Sequence, residues 1–272
     1  ILKFDKAINI YQDYELWDVY FKTRVEIARL EYKAGKAEQA YQTLEDIIGE
    51  SLERLEGPNL GQVLALHQKA NLLKADNFLE AANKTFALSI DLYGQLYQGK
   101  ASEDYLQCLV DFAKLLQQEF KYKEAITQLK VASSQALSLY GELDERFIRL
   151  WEKIAVLHYN NEHYISCKNQ AKRVLRIRQK ADDGDSPSQY SLYFLLGKSY
   201  LFINDAKTAQ KYAEKALDIC EKHKDMKKAW AADFYQILAD TYWQVDEFQK
   251  GIDLIQKKKK PIVANLYGSR SP

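Results

Sequence analysis

The sequence predicts an all-α protein, a solenoid of about six antiparallel helix pairs, from three observations. Glycine (11) and proline (4) are scarce among 272 residues, while Ala, Leu, Lys, Glu, Gln and Tyr abound. That composition suits long helices with few sharp turns. Apolar residues make up 47%, enough to bury a continuous core. A pair of small residues also recurs at fixed spacing along nearly the whole chain.

The first small column is Ala28, Ala70, Ala113, Ala155, Gly197 and Ala239, with successive members 42 or 43 residues apart. The second follows twelve positions later, at Ala40, Ala82, Ala125, Cys167, Ala209 and Gly251. Around each pair lie two amphipathic stretches joined by a short polar turn such as KAGKA, NNEH or INDAK. Two antiparallel helices interlock at their crossing only where the side chain is no larger than Ala, Cys or Gly.

In chain order, residues 1–15, with FDKAINIYQ, read as the second helix of a truncated preceding pair. Helix pairs follow near 17–56, 61–94, 103–141, 144–181, 188–223 and 227–258. EGPNLG (56–61) and DDGDSPSQ (182–189) are the clearest loops, and YGQLYQGKASED and YGELDE end two second helices. Residues 259–272 read as a basic, irregular tail. The lysines at 257–260 read either as a basic docking or lipid-facing patch or, as the favoured expectation, as a solvated helix end whose negative dipole they complement. PIVANLYGSRSP opens with a helix-stopping proline, and its Ile262, Val263, Leu266 and Tyr267 either fold back on the last pair or bind another chain. The mid-pattern start without Met suggests a piece of a longer protein.

These residues resemble the tetratricopeptide repeat. Trp151, Ile154, Ala155 and Tyr159 followed by Tyr164, Cys167, Ala171 and Val174 match its pattern, as do Tyr193, Leu196, Gly197 and Tyr200 followed by Ala209, Ala213 and Ala216. Leu238, Ala239, Tyr242 and Phe248 repeat it in the last copy. The 42-residue unit, with LYG at 92–94 and 139–141, is similar to the kinesin light chain and nephrocystin variety. Paired asparagines usual in that variety are replaced by Glu152 and Lys153, or Phe194 and Leu195, so the resemblance carries architecture rather than partner. It implies a right-handed superhelix whose first helices line a groove, and it suggests adaptor duty in a transport or cytoskeletal complex.

Several function classes are excluded. Net charge is +1, from 39 basic and 38 acidic residues, so no global field draws the chain to nucleic acid or anionic lipid. No run approaches the roughly 18 apolar residues of a membrane span, and the opening residues lack a signal-peptide core. A cytoplasmic location, with cytoskeletal association as an option, is the expectation. Three scattered cysteines, Cys108, Cys167 and Cys220, point to reduced thiols.

His158, His163 and Cys167 lie within ten residues, but a zinc site needs about four converging ligands. His158 shares a column with Tyr200 and Tyr242, and Cys167 stands in the alanine column, so both are expected to pack. The chain has no phosphate-cradling glycine loop, H-E-x-x-H, G-x-S-x-G or CxxC. No catalytic residue, metal or cofactor is therefore predicted.

What a helical array offers is surface. Residues one turn either side of the first small column are expected to face the groove: Arg29, Tyr32, Asn71, Lys74, Lys114, Gln117, Arg149, Tyr159, Lys198 and Trp243. Cations beside amides and aromatics suit an extended peptide or helix of acidic character, the cations pairing its carboxylates. The plainer reading of the same residues is a solvated helix surface. The expected function is a protein-interaction scaffold or adaptor within a larger chain or complex. One alternative is a regulator whose curvature changes when a peptide binds. RNA binding is a weaker one, because Glu152, Asp233 and Asp240 interrupt any basic stripe.

Overall fold

The computed structural model describes residues 2–223 and 228–267, and every regular element among them is helical. The chain divides into two compact units, Ile1–Leu139 and Tyr140–Pro272. The first holds α1 (Leu2–Asp13), α2 (Trp17–Lys33), α3 (Ala37–Arg54), α4 (Leu60–Ala75), α5 (Leu79–Tyr97), α6 (Glu103–Gln118) and α7 (Tyr122–Tyr140), whose last residue crosses the division. The second holds α8 (Glu145–Asn160), α9 (Tyr164–Ala181), a 3-10 turn (Pro187–Gln189), α10 (Tyr190–Phe202), α11 (Ala206–Lys222) and α12 (Lys228–Gln244). It closes with α13 (Phe248–Leu254), a π-helical turn (Ile255–Lys259) and α14 (Lys260–Tyr267).

Local chemistry sets the helix ends. Asn59, Ser102, Asp144 and Asp205 accept backbone N–H bonds from Gln62, Tyr105, Arg146 and Thr208, starting α4, α6, α8 and α11. Each turn inside a pair carries one left-handed residue, seven positions after the first small column: Gly35, Asn77, Phe120, Glu162, Asn204 and Asp246, with φ from 58° to 79°. The next N–H bonds back over five residues, for example Phe78 to Leu73 (2.8 Å), Lys121 to Leu116 (2.8 Å) and His163 to His158 (2.9 Å). This is a Schellman stop, repeated with side chains as different as Gly and Phe. The helix exit is thus held by backbone bonds.

Packing follows the small columns. All twelve of those residues are buried. A Cβ on Gly197 would lie 3.1 Å from Ile237 Cδ1, so α10 and α12 approach as closely as glycine permits. Gly61, at the end of the expected loop, is instead a buried residue of α4. A Cβ there would sit 2.6 Å from the ring of Phe21.

Within each unit the first helices of neighbouring pairs touch directly, α2 with α4, α4 with α6, α8 with α10 and α10 with α12. Second helices instead pack between first helices: α3 against α2 and α4, α5 against α4 and α6, α9 against α8 and α10, α11 against α10 and α12. The first helices therefore occupy the inside of each unit's bend.

The chain end departs from the sequence reading. Where an irregular tail was expected from residue 259, the second helix of the last pair continues to Tyr267, and residues 268–272 lie outside the described residues. Pro261 is tolerated because it is the second residue of α14, immediately after the π turn, in which the Lys260 N–H already reaches back five residues to Ile255. The lysines at 257–260 consequently sit inside a helix, and a C-terminal dipole is not what holds them there.

Candidate ligand-binding face

In the first unit the inside of the bend is built by α2, α4 and α6. Asp111, buried on α6, is its node. His67 Nε2 on α4 lies 3.1 Å from Asp111 Oδ2, Gln107 donates at 3.0 Å, and Lys114 donates to Oδ1 at 2.8 Å. Burial pushes the Asp111 carboxyl up, but the bonds from His67, Gln107 and Lys114 outweigh it and hold the group well below the usual carboxylate range.

Lys74, also on α4, faces the same cluster. Burial lowers its affinity for a proton; Asp111 opposes that shift and Lys114 adds to it. Its hydrogen-bond partner is Asn71 Oδ1 at 3.3 Å, and the ammonium lies 5.9 Å from the Phe86 ring centroid. It makes no ion pair with any described residue. Lys74 and Lys114 thus share one carboxylate between two ammonium groups, with the Asn71 amide beside them, and a further anion would complete the set. At one end of this face Lys22 of α2 reaches over α4 to Asp104 of α6 (3.2 Å).

In the second unit the inside of the bend is already paired. Arg149 donates to Glu145 at 2.6 Å. Arg178, 3% exposed on α9, ties Glu145 (2.6 Å) to Glu152 (2.8 Å). Burial raises Glu152, against the attraction of Arg178. Glu145 is held below its ordinary value because bonds from Arg178 and Arg149 outweigh its burial. Lys198 donates to Asp240 at 2.9 Å, and Gln236 donates to the same carboxylate at 2.6 Å. Tyr159 meets Tyr164 and Phe202 edge-on, and Tyr164 and Phe202 stack at 4.1 Å. Trp243 is exposed and covers Gly251.

Of the ten residues chosen from the sequence, the structure brings Asn71, Lys74 and Lys114 into one cluster. Arg29, Arg149 and Lys198 are neutralised by Glu26, Glu145 and Asp240. Tyr32 donates to Asp76, which also accepts from Tyr41 at 2.8 Å, so it fastens α2 to the next turn. Gln117 is exposed at the end of α6. Asp111 was missed. The available signal was its spacing, four residues after Gln107 and three before Lys114 on one helical face.

Cys167 is fully buried in the small column with its thiol against Ser199, and His163 is exposed at the start of α9 with Nδ1 2.6 Å from Asn161 O. Among the described residues no group of three or more His, Cys, Asp or Glu could hold a metal ion. No described helix is long and apolar enough to cross a membrane.

No family model matches the chain, and no curated protein does. Solved structures do. BtubC from P. vanneervenii superimposes with a TM-score of 0.61 at 18% identity, over 95% of this chain and 94% of that one. A putative kinesin light chain with nearly identical TPR-like repeats, from Podospora anserina, gives 0.60 at 15% identity, over 77% and 98%. A signal transduction ATPase with a tetratricopeptide repeat sensor, from Pyrococcus horikoshii, gives 0.63 at 14% identity, over 97% of this chain and 40% of that one. What these structures share with the chain is the fold, an all-α array of tetratricopeptide-like helix pairs.

Proposed function

We propose that this chain is a non-catalytic protein-interaction module that captures an acidic segment of a partner protein, peptide or helix, on the inner face of α4 and α6. The observation that carries the reading is Lys74, a partly buried ammonium with no ion pair among the described residues, placed beside Asn71 and Lys114. A partner carboxylate here gains a charge-assisted bond to a cation already stripped of much of its water, while Asn71 is suited to the partner's backbone. Asp111 fixes the positions of Lys114 and His67, so the donor geometry exists before binding. Adaptor duty in a transport or cytoskeletal assembly belongs to this proposal as well, supported by the fold it shares with the kinesin light chain-like protein.

The test is fluorescence anisotropy of a labelled Asp/Glu-containing peptide with the full chain. Lys74→Gln and Lys114→Gln are each expected to weaken binding about tenfold, and rising salt to weaken it further. Equal affinity of both variants and the parent chain, or equal affinity for a Lys-substituted peptide, overturns the proposal.

A further inference from the structure

The helix α9 carries six basic residues, Lys168, Lys172, Arg173, Arg176, Arg178 and Lys180, and no acidic one, in a chain whose net charge is +1. Among the described residues only Arg178 of these forms an ion pair, with Glu145 and Glu152. The neighbouring α10 has no carboxylate. On α11, Glu214 accepts from Gln210 and Asp218 from Lys222.

Tyr164, Lys168, Lys172 and Arg176 recur every four residues, so they lie along one side of α9, about 6 Å apart along its axis. Aromatic rings meet that side. Tyr164 stacks on Phe202, and the ammonium groups of Lys168 and Lys172 lie 5.4 and 5.1 Å from the centroid of one ring, Tyr200. Tyr200 in turn stacks on Tyr212 of α11 at 5.6 Å. Burial raises the affinity of Tyr212 for its proton, and Lys172 and Arg176 oppose that shift, so both cations act at its hydroxyl. Three cations and two phenols are gathered here, and at one end stands Phe202, 53% exposed.

We propose that this cluster binds a phosphorylated side chain in a segment of a partner protein, with an apolar residue two or three positions away seated on Phe202. It rests on reading the chain as a protein-interaction module, but it uses a face in the other unit from Lys74. Charge selects the ligand. A carboxylate neutralises a single cation, whereas a phosphate monoester carries about −1.5 to −2 and three acceptor oxygens, which suits two ammonium groups and a guanidinium. Spacing selects its neighbour: the midpoint of Lys168 and Lys172 lies about 9 Å along α9 from Tyr164, the reach of two or three residues of extended chain. A nucleic-acid backbone or an anionic membrane is the poorer match, because Lys168 and Lys172 converge on one ring instead of following a track or a plane.

The experiment passes the full chain over immobilised peptide libraries of about 12 residues, with degenerate flanks around a fixed phosphoserine or, in the matched control, a fixed serine. The phosphoserine library is expected to retain at least tenfold more protein, with apolar residues enriched two or three positions from the phosphate. Lys168→Gln/Lys172→Gln should lower that retention at least tenfold, and Phe202→Ala should remove the apolar enrichment alone. Unchanged circular dichroism and Tm confirm intact variants, and Lys168→Arg/Lys172→Arg, which keeps both charges, should still bind. Lys74→Gln is expected to leave phosphoserine retention unchanged, and the Gln double variant to leave affinity for the unphosphorylated Asp/Glu peptide unchanged, so the two sites fail or succeed separately. Equal retention by the two libraries, equal retention of the Gln double variant and the parent chain, or stronger binding to oligouridylate or to phosphatidylserine vesicles that the same double variant abolishes would each overturn the proposal.

Discussion

His67 on α4 and Asp111 on α6 meet at 3.1 Å across two neighbouring repeats, and this contact turns a helix-packing seam into a charged platform. Asp111 also accepts from Gln107 and Lys114, so one carboxylate organises three donors. Asp111→Asn is expected to cost about 2 kcal/mol at neutral pH, since it removes the charged acceptor of Lys114 and of the largely buried His67. The folded-state affinity of Asp111 for a proton lies below the unfolded value of about 4. Its stabilisation is therefore fully present above about pH 4 and is lost as pH falls from there through the folded value. Urea denaturation should show a gap between parent and variant at pH 7 that narrows below pH 4; a constant gap would mean that the charge contributes nothing.

Lys74 behaves in the opposite sense. Its folded-state affinity for a proton is lowered, chiefly by burial, so keeping it charged destabilises the fold below the unfolded value of about 10.4. Lys74→Met is expected to be more stable than the parent at pH 7, with the difference closing as pH rises through the folded value toward about 10.4. It should also lose peptide binding. Denaturation midpoints and the anisotropy assay, measured on one preparation, check both halves.

Two buried glycines should respond differently to the same change. At Gly61 an added methyl meets the fully buried Phe21 ring at 2.6 Å and Ser51 Cβ at 3.0 Å. Gly61→Ala is expected to destabilise by about 2 kcal/mol, because the strain exceeds the helix-propensity gain of about 1. At Gly251 the nearest atoms, 2.5 and 2.6 Å away, belong to Trp243, which is 55% exposed and free to swing outward. Gly251→Ala should be close to neutral in thermal denaturation and should change Trp243 fluorescence.

Phe120 holds φ +59° while 75% of it is exposed, in the turn position that other repeats give to Gly35, Asn77 and Asn204. A side chain of this bulk pays about 1–2 kcal/mol for that backbone, with little burial in return. Phe120→Asn is expected to raise stability by about 1 kcal/mol, read as a higher urea midpoint with unchanged slope.

The thiols report packing. Cys108, beside Ser89 at 3.6 Å, is fully buried and burial pushes it up to about 12; burial also raises Cys167. Both should resist a thiol reagent at pH 8 until the chain unfolds, while the partly exposed Cys220 reacts first. Cys167→Ala should cost less than about 1 kcal/mol, since alanine fills this column in other repeats. Rapid labelling of Cys167 would mean that its helix crossing is not the tight one described.

The helix pairs were legible because steric exclusion at a crossing leaves an alanine-sized residue at fixed spacing, and twelve such residues are buried. The candidate site was only partly legible. The period assigns Asn71, Lys74 and Lys114 to the inner face to within about one turn, and it assigns Arg29, Arg149 and Lys198 there equally. Whether each cation is free depends on which carboxylate its own or a neighbouring helix supplies.

Sequence alone determined the class of fold, the repeat length and the positions where helices interlock, because local propensity and volume act along the chain. Tertiary structure decided the rest. Arg178 is neutralised by carboxylates 26 and 33 residues away, and Lys198 by one 42 residues away, while Lys74 has no ion pair among the described residues. Such pairings need side-chain tips within a few ångströms, a register between helices that a helical period does not specify. The passage of the last helix through Pro261 was likewise settled in three dimensions, by a π turn that a count of helix-breaking residues does not reveal.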